Sequence, residues 1–141
     1  MADTHEGGCL CGALRYRVAG NPDLALVCHC KLCQRMSGSA FGLSAYFAEQ
    51  DVAITSGVPN TYEYRSDESN RWIRTKFCPT CGTTVTWTME AAPGARGIAG
   101  GTLDDPNWLT ITRHYWTRSA QHWMVYPPGV EISATDQFPE G

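Results

Sequence analysis

The chain has 141 residues, 43% of them hydrophobic and 11% aromatic, with a formal net charge of −3. That length fits one domain burying about two thirds of its unfolded surface, and the apolar content excludes a disordered chain. The acidic balance excludes bulk attraction to nucleic acid or to an anionic membrane, and no apolar run reaches the ~18 residues of a spanning helix.

The first residues, Met1 to Gly8, carry Asp3 and Glu6 and no apolar core, so no secretory signal is expected there. A C-x-C pair, Cys9 and Cys11, follows. Leu14, Tyr16 and Val18 then alternate with Arg15 and Arg17, the period-two pattern of a half-buried strand. Gly20-Asn21-Pro22 marks a turn. After the cysteines at 28, 30 and 33, Lys31 to Met36 predicts one helical turn closed by Gly38. Phe41 to Phe47, Asp51 to Thr55, Thr61 to Arg65, Arg71 to Phe77 and Thr83 to Met89 are rich in β-branched and aromatic residues and predict strands. Ser56-Gly57 breaks this series, and Ala91 to Gly101, rich in Gly and Ala, predicts a loop. Ile111 to Trp116 predicts another strand, and Pro127-Pro128-Gly129 a further turn. The expected architecture is mainly β, mostly antiparallel, in a single domain over 1–141, with edges and ends stapled by metal.

The seven cysteines carry the chemistry. Cys9 and Cys11 form one pair, Cys78 and Cys81 a C-x-x-C pair, and Cys28, Cys30 and Cys33 a C-x-C-x-x-C triad. An odd number argues against a complete disulfide framework, and thiolates this closely spaced reach a common zinc ion. A reducing cytosol keeps such thiols free, so a cytoplasmic location is expected. Two divisions are open on spacing. One is a ribbon on Cys30, Cys33, Cys78 and Cys81, which needs an unusually long insertion between knuckles and strands three cysteines. The other joins the two pairs into a closed four-sulfur site and leaves the triad as a three-sulfur site with a free position. Closed sites hold folds together; open ones bind substrate.

The residues around these clusters resemble the glutathione-dependent formaldehyde-activating enzyme family. Gly8 to Tyr16 is similar to its opening block, Cys28 to Arg35 with Ser37 to Phe41 to its second, and Phe77 to Gly82 to its third. Ala99 to Pro106 and the later His114 resemble its remaining part. The resemblance implies a β-tent of antiparallel sheets with a structural zinc on Cys9, Cys11, Cys78 and Cys81. It also implies a second, catalytic zinc on Cys28, Cys30 and Cys33. The implied activity is that of a carbon–sulfur lyase or synthase of the S-(hydroxymethyl)glutathione synthase type, joining a thiol, glutathione or similar, to formaldehyde or another small carbonyl. The partners so implied are a small-molecule thiol and an aldehyde.

Other residues have plainer readings beside functional ones. Arg35 follows the triad and is a candidate for binding the thiol's carboxylates, since guanidinium pairs carboxylates bidentately; a solvated surface role is the alternative. His29, between two triad cysteines, is expected to point away from the ion, because neighbours on an extended chain face opposite sides. His114 is expected to be a packed or exposed histidine, and the five tryptophans core or rim aromatics with one or two walling the pocket. Ser37-Gly38-Ser39 reads as a turn, and Asp104-Asp105-Pro106 as a turn or helix start. Two rival functions are a methionine sulfoxide reductase and a non-catalytic zinc-stapled binding module. The reductase needs a nucleophilic cysteine outside the metal sites, and none follows Cys81.

Overall fold

The computed structural model describes residues 3–138, and they fold as two β-sheets with one short helix. The strands are β1 (Thr4–Gly8), β2 (Arg15–Ala19), β3 (Leu24–Cys28), β4 (Gly42–Ala48), β5 (Val52–Ser56), β6 (Asn60–Arg65), β7 (Trp72–Phe77), β8 (Thr84–Met89), β9 (Ala95–Ala99), β10 (Arg113–Tyr115) and β11 (Glu131–Ile132). The helix, α1, spans Lys31–Ser37 between β3 and β4. A three-stranded sheet runs β1-β2-β5, and an eight-stranded sheet runs β11-β10-β3-β4-β9-β8-β7-β6. Pairings among these strands are antiparallel except where β10 lies parallel to β3 and to β11. Among the described residues no helix is long and apolar enough to cross a membrane.

Strand β4 is the hinge of the packing because it is buried on both faces. Ala45 and Phe47 point into a core shared with Leu14, Tyr16 and Val18, which joins the two sheets. Tyr46 points the other way, into a second cluster with Leu26, Cys28, Trp87 and Tyr115. Burying a side chain of the size of Phe47 or Leu14 contributes roughly 1.5–3 kcal/mol, so this inter-sheet face helps hold the three-stranded sheet in place. The Tyr16 hydroxyl, wholly buried, is satisfied by Thr102 Oγ1 at 2.7 Å.

One expectation needs correction. Ala91 to Gly101 is not a loop throughout: Ala95–Ala99 is a strand between β4 and β8. Its glycine explains why: Gly97 has no side chain, and the indole of Trp87 lies directly over it. The sheets are mostly antiparallel, as expected; the parallel pairings arise because the chain after Thr102 returns to the far side of β3 and adds β10 there. Three further strands escaped the sequence pattern, β1, β3 and the short β11; β3 is an apolar run without alternation, as expected of a strand covered on both faces. The helix extends a residue beyond the predicted turn and ends as expected at Gly38, left-handed at φ 64°.

Candidate functional site

The first cysteine cluster is built from two hairpin ends. Cys9 and Cys11 sit between β1 and β2, and Cys78 and Cys81 between β7 and β8, so the cluster bridges the two sheets. The two ends share a backbone plan. Cys9 N–H donates to the Leu14 carbonyl and Cys78 N–H to that of Thr83, each at 3.0 Å. The turns are closed by Gly12 N–H on the Cys9 carbonyl and Gly82 N–H on the Cys78 carbonyl. Both glycines take positive φ, 82° and 78°, a conformation that side chains rarely tolerate. Thr83 Oγ1 ties the ends together, accepting the Leu10 N–H at 3.2 Å and hydrogen-bonding Cys81 Sγ at 3.2 Å. That hydrogen bond, with further backbone donors, pulls the Cys81 thiol down to about 5.

The four sulfurs lie within 4.8 Å of one another. Cys9 and Cys11 Sγ are 3.7 Å apart, as are Cys11 and Cys78 Sγ. A tetrahedral zinc with Zn–S bonds of about 2.3 Å requires sulfur edges of about 3.8 Å, whereas a disulfide requires about 2.05 Å. The donor set and spacing therefore fit a closed four-sulfur zinc site. Cys78 is fully buried and Cys9 nearly so, which an ion with four sulfur ligands tolerates because its ligands satisfy it completely.

The triad is local. Cys28 ends β3, Cys30 is the N-cap of α1, and Cys33 lies in its first turn. Cys30 Sγ accepts the Cys33 N–H at 3.3 Å, the bond an N-cap residue makes. Gly42 opens β4 so close to Cys33 that an added Cβ would stand 3.2 Å from that of the cysteine. The three sulfurs also lie within 4.8 Å of one another, and among the described residues no fourth His, Cys, Asp or Glu donor joins them. Hydrogen bonds from the Cys28 and Cys33 thiols pull Cys30 down to about 3. The bond to Cys30 pushes Cys28 up, and the bonds to Cys28 and Cys30 push Cys33 up. These hydrogen bonds favour a thiolate on Cys30 over one on Cys28 or Cys33. Two further thiolates become affordable only beside a cation, and the soft donor set suits zinc.

The triad opens on a cavity of about 290 Å³. Tyr46 of β4, Trp87 and Met89 of β8, and Tyr115 of β10 form its inner wall. The parallel register places Tyr115 directly beside Cys28. Trp87 Nε1 donates to the Tyr46 hydroxyl at 3.2 Å, and burial pushes that phenol far above its usual range, so it stays protonated. Phe138 packs edge-on against Tyr46 and Tyr115, with ring centroids 5.6 and 5.5 Å away.

Three cations line the cavity, Lys31, Arg35 and Arg71, and Arg113 and Arg118 lie outside its lining. Arg35 is exposed at the end of α1 and, among the described residues, has no ion-pair partner. Arg71, by contrast, pairs with Asp136 at 2.5 Å, and both side chains are mostly covered. Arg113 pairs with Glu131, and Arg118 lies over Trp116 and near Glu68. Of the tryptophans, Trp72, Trp87 and Trp116 line the cavity, one more than expected, while Trp108 stacks on His5 and Trp123 is exposed.

His29 belongs to neither sulfur cluster and faces away from the triad. Its Nε2 meets Nδ1 of His114 at 3.0 Å, both rings are buried, and Tyr126 closes over them. Burial depresses both pKa values, and in His29 the neighbouring ring adds to this, so both stay neutral and one donates to the other. Ser37 to Ser39 is the helix end leading to β4, and Asp104 is held by Arg15 in a two-point ion pair. The cavity wall was legible in sequence only through the tryptophans; Tyr46, Met89 and Tyr115 were not expected there.

A mainly β scaffold with one inter-sheet and one local cysteine cluster defines a cysteine-stapled protein whose local cluster opens on a cavity. The profile of the family described as glutathione-dependent formaldehyde-activating enzyme matches residues 4–119, and the chain belongs to that family. Its structure is similar to the crystal structure of a Rhodobacter sphaeroides protein, with a TM-score of 0.54 and 21% identity, over 70% of this chain and 87% of that one. At that identity the likeness speaks for the fold alone.

Proposed function

We propose that this chain is a single-domain, cytoplasmic enzyme that joins a small-molecule thiol, glutathione in the first instance, to an aldehyde at the Cys28, Cys30 and Cys33 cluster. The observation that carries this reading is three sulfurs that line a cavity, with no fourth donor among the described residues. Family membership supports glutathione and formaldehyde as the chemistry concerned. In this reading Cys9, Cys11, Cys78 and Cys81 hold a structural zinc, and the triad holds a second. Zinc at the triad supplies the positive charge that favours a thiolate over a thiol at neutral pH.

The remaining work falls to the chain's own groups. The carbon–sulfur bond forms as the carbonyl π bond opens, and the thiol proton ends on the former carbonyl oxygen, so no oxidant or reductant is needed. The cavity holds both reactants together and sheds water, replacing a bimolecular encounter by a positioned one. The Tyr46 hydroxyl, kept protonated by burial, donates a hydrogen bond to the oxygen as it gains charge. Arg35 meets a thiol carboxylate at the mouth.

The test mixes zinc-loaded protein with glutathione and formaldehyde and follows exchange between free and adduct forms by NMR. Acceleration above the uncatalysed rate, lost in Cys30→Ser, is the expected result. An unaccelerated rate overturns the reading, and a zinc content of one per chain would point instead to the stapled binding module.

A further inference from the structure

Formaldehyde leaves the wall of this cavity without a purpose. Its carbon carries only hydrogens, and the surface beside the triad is apolar: Leu26, Tyr46, Ile73, Trp87, Met89 and Tyr115. Glutathione cannot fill that surface, because its body is charged at both ends. The only hydroxyls of that surface are those of Tyr46 and Tyr115, the first held by Trp87 and Met89 and the second by Arg113. Of the charged groups in the lining, those of Lys31, Arg35, Asp67 and Glu68 are on exposed residues. A thiol whose sulfur reaches the triad therefore runs its polar body outward. The second substituent on the sulfur, contributed by the carbonyl, is the one that faces the apolar wall. The chain itself shows that this wall accepts a ring: Phe138 sits edge-on to both Tyr46 and Tyr115, in the aromatic geometry such pairs prefer.

Resting on the reading above, we infer that the carbonyl partner of this chain is an aldehyde bearing an aryl group or an alkyl chain of several carbons, seated between Tyr46, Trp87, Met89 and Tyr115. The reaction balances as before: one carbon–sulfur bond forms, the carbonyl π bond opens, and the proton passes from sulfur to oxygen. Only the substituent on the carbonyl carbon differs, and it gains by leaving water.

Inert adduct mimics test this without turnover. S-hexylglutathione and S-methylglutathione share the polar body and differ by five methylenes. Each methylene buried is worth about fourfold in affinity. Calorimetric titration of the zinc-loaded protein should show the hexyl compound binding at least fivefold more tightly. A ratio below five overturns the inference. Ala91 lies in the same buried cluster and lines the cavity. In Ala91→Phe the ratio should collapse; its full retention, with wild-type zinc content and melting temperature, places the hexyl chain outside the recess and also overturns it. Glutathione addition to hexanal and to formaldehyde is followed in parallel. Acceleration with formaldehyde but not hexanal defeats this inference alone, whereas failure with both defeats the function proposed above.

Discussion

Replacing Cys78 and Cys30 by serine, one at a time, separates the two clusters. Cys78 and Cys11 are 67 residues apart, so an ion on both closes a long loop and clasps two sheets. The triad spans only positions 28 to 33 on one strand end and one helix turn. Loop closure scales as (3/2)RT ln n, which makes the long-range constraint worth about 2 kcal/mol more than the local one. Cys78→Ser also leaves a hydroxyl in a fully buried position, at a cost of about 1–3 kcal/mol, and weakens a site of a type worth about 10–16 kcal/mol when intact. Against a total stability of about 5–15 kcal/mol, that variant should be largely unfolded. Cys30→Ser removes one sulfur from the triad but leaves a side chain that serves as an N-cap at least as well, so it should cost under about 1 kcal/mol. Tryptophan fluorescence during thermal unfolding gives the stability, and elemental analysis gives the zinc. A folded, two-zinc Cys78→Ser protein, or equal loss of fold in both variants, would refute the division of labour.

Gly97→Ala should lower the melting temperature by about 3 °C or more, because the new methyl meets the Trp87 ring, itself hydrogen-bonded to Tyr46; calorimetry checks it. His114, whose pKa burial depresses below the ordinary 6.5, should make the fold acid-sensitive. The unfolded chain takes up a proton below about pH 6.5 that the folded chain refuses, so stability falls with pH; at saturating zinc, His114→Asn should flatten that slope in urea titrations between pH 7 and 5. Arg35→Ala should raise KM for glutathione by about three- to tenfold while sparing kcat and leaving 2-mercaptoethanol, which has no carboxylate, unaffected.

The parts of the fold that announced themselves did so through short-range rules. β2, β4, β7 and β8 lie within a residue or two of their alternating or aromatic-rich runs, and α1 ends where Gly38 permits a left-handed residue. The cysteine spacing left two divisions open, and the family resemblance of the residues around them implied the one that the fold assembles. What stayed hidden depends on distant partners. β9 is a Gly- and Ala-rich stretch made into a strand by the Trp87 ring lying on Gly97 and by ladders on both sides. β3 lacks alternation because both its faces are covered. The pairing of His29 with His114 spans 85 residues and follows from the parallel return of β10, which no local pattern encodes. Arg71 reads in sequence like any strand-edge cation, yet the segment containing Asp136 claims it, which leaves Arg35, among the described residues, as the unpaired guanidinium of the cavity lining.

This distribution of residues has a consequence for how the site is specified. The three triad sulfurs come from six consecutive positions on β3 and α1, and Gly42 presses β4 against the last of them. The wall they face comes from β4, β7, β8, β10 and Phe138, each an independent element of the sheet or the segment beyond it. On β4 the two roles are separated by strand periodicity: Ala45 and Phe47 hold the inter-sheet core while Tyr46 faces the cavity. A substitution at 46 therefore reshapes the recess without opening the core, and one at 45 or 47 does the reverse. In the proposed reaction, sulfur chemistry and acceptor shape would therefore be written on different residues. The triad would meet the thiol, and the size of its acceptor would be set by side chains up to 110 positions away from Cys28.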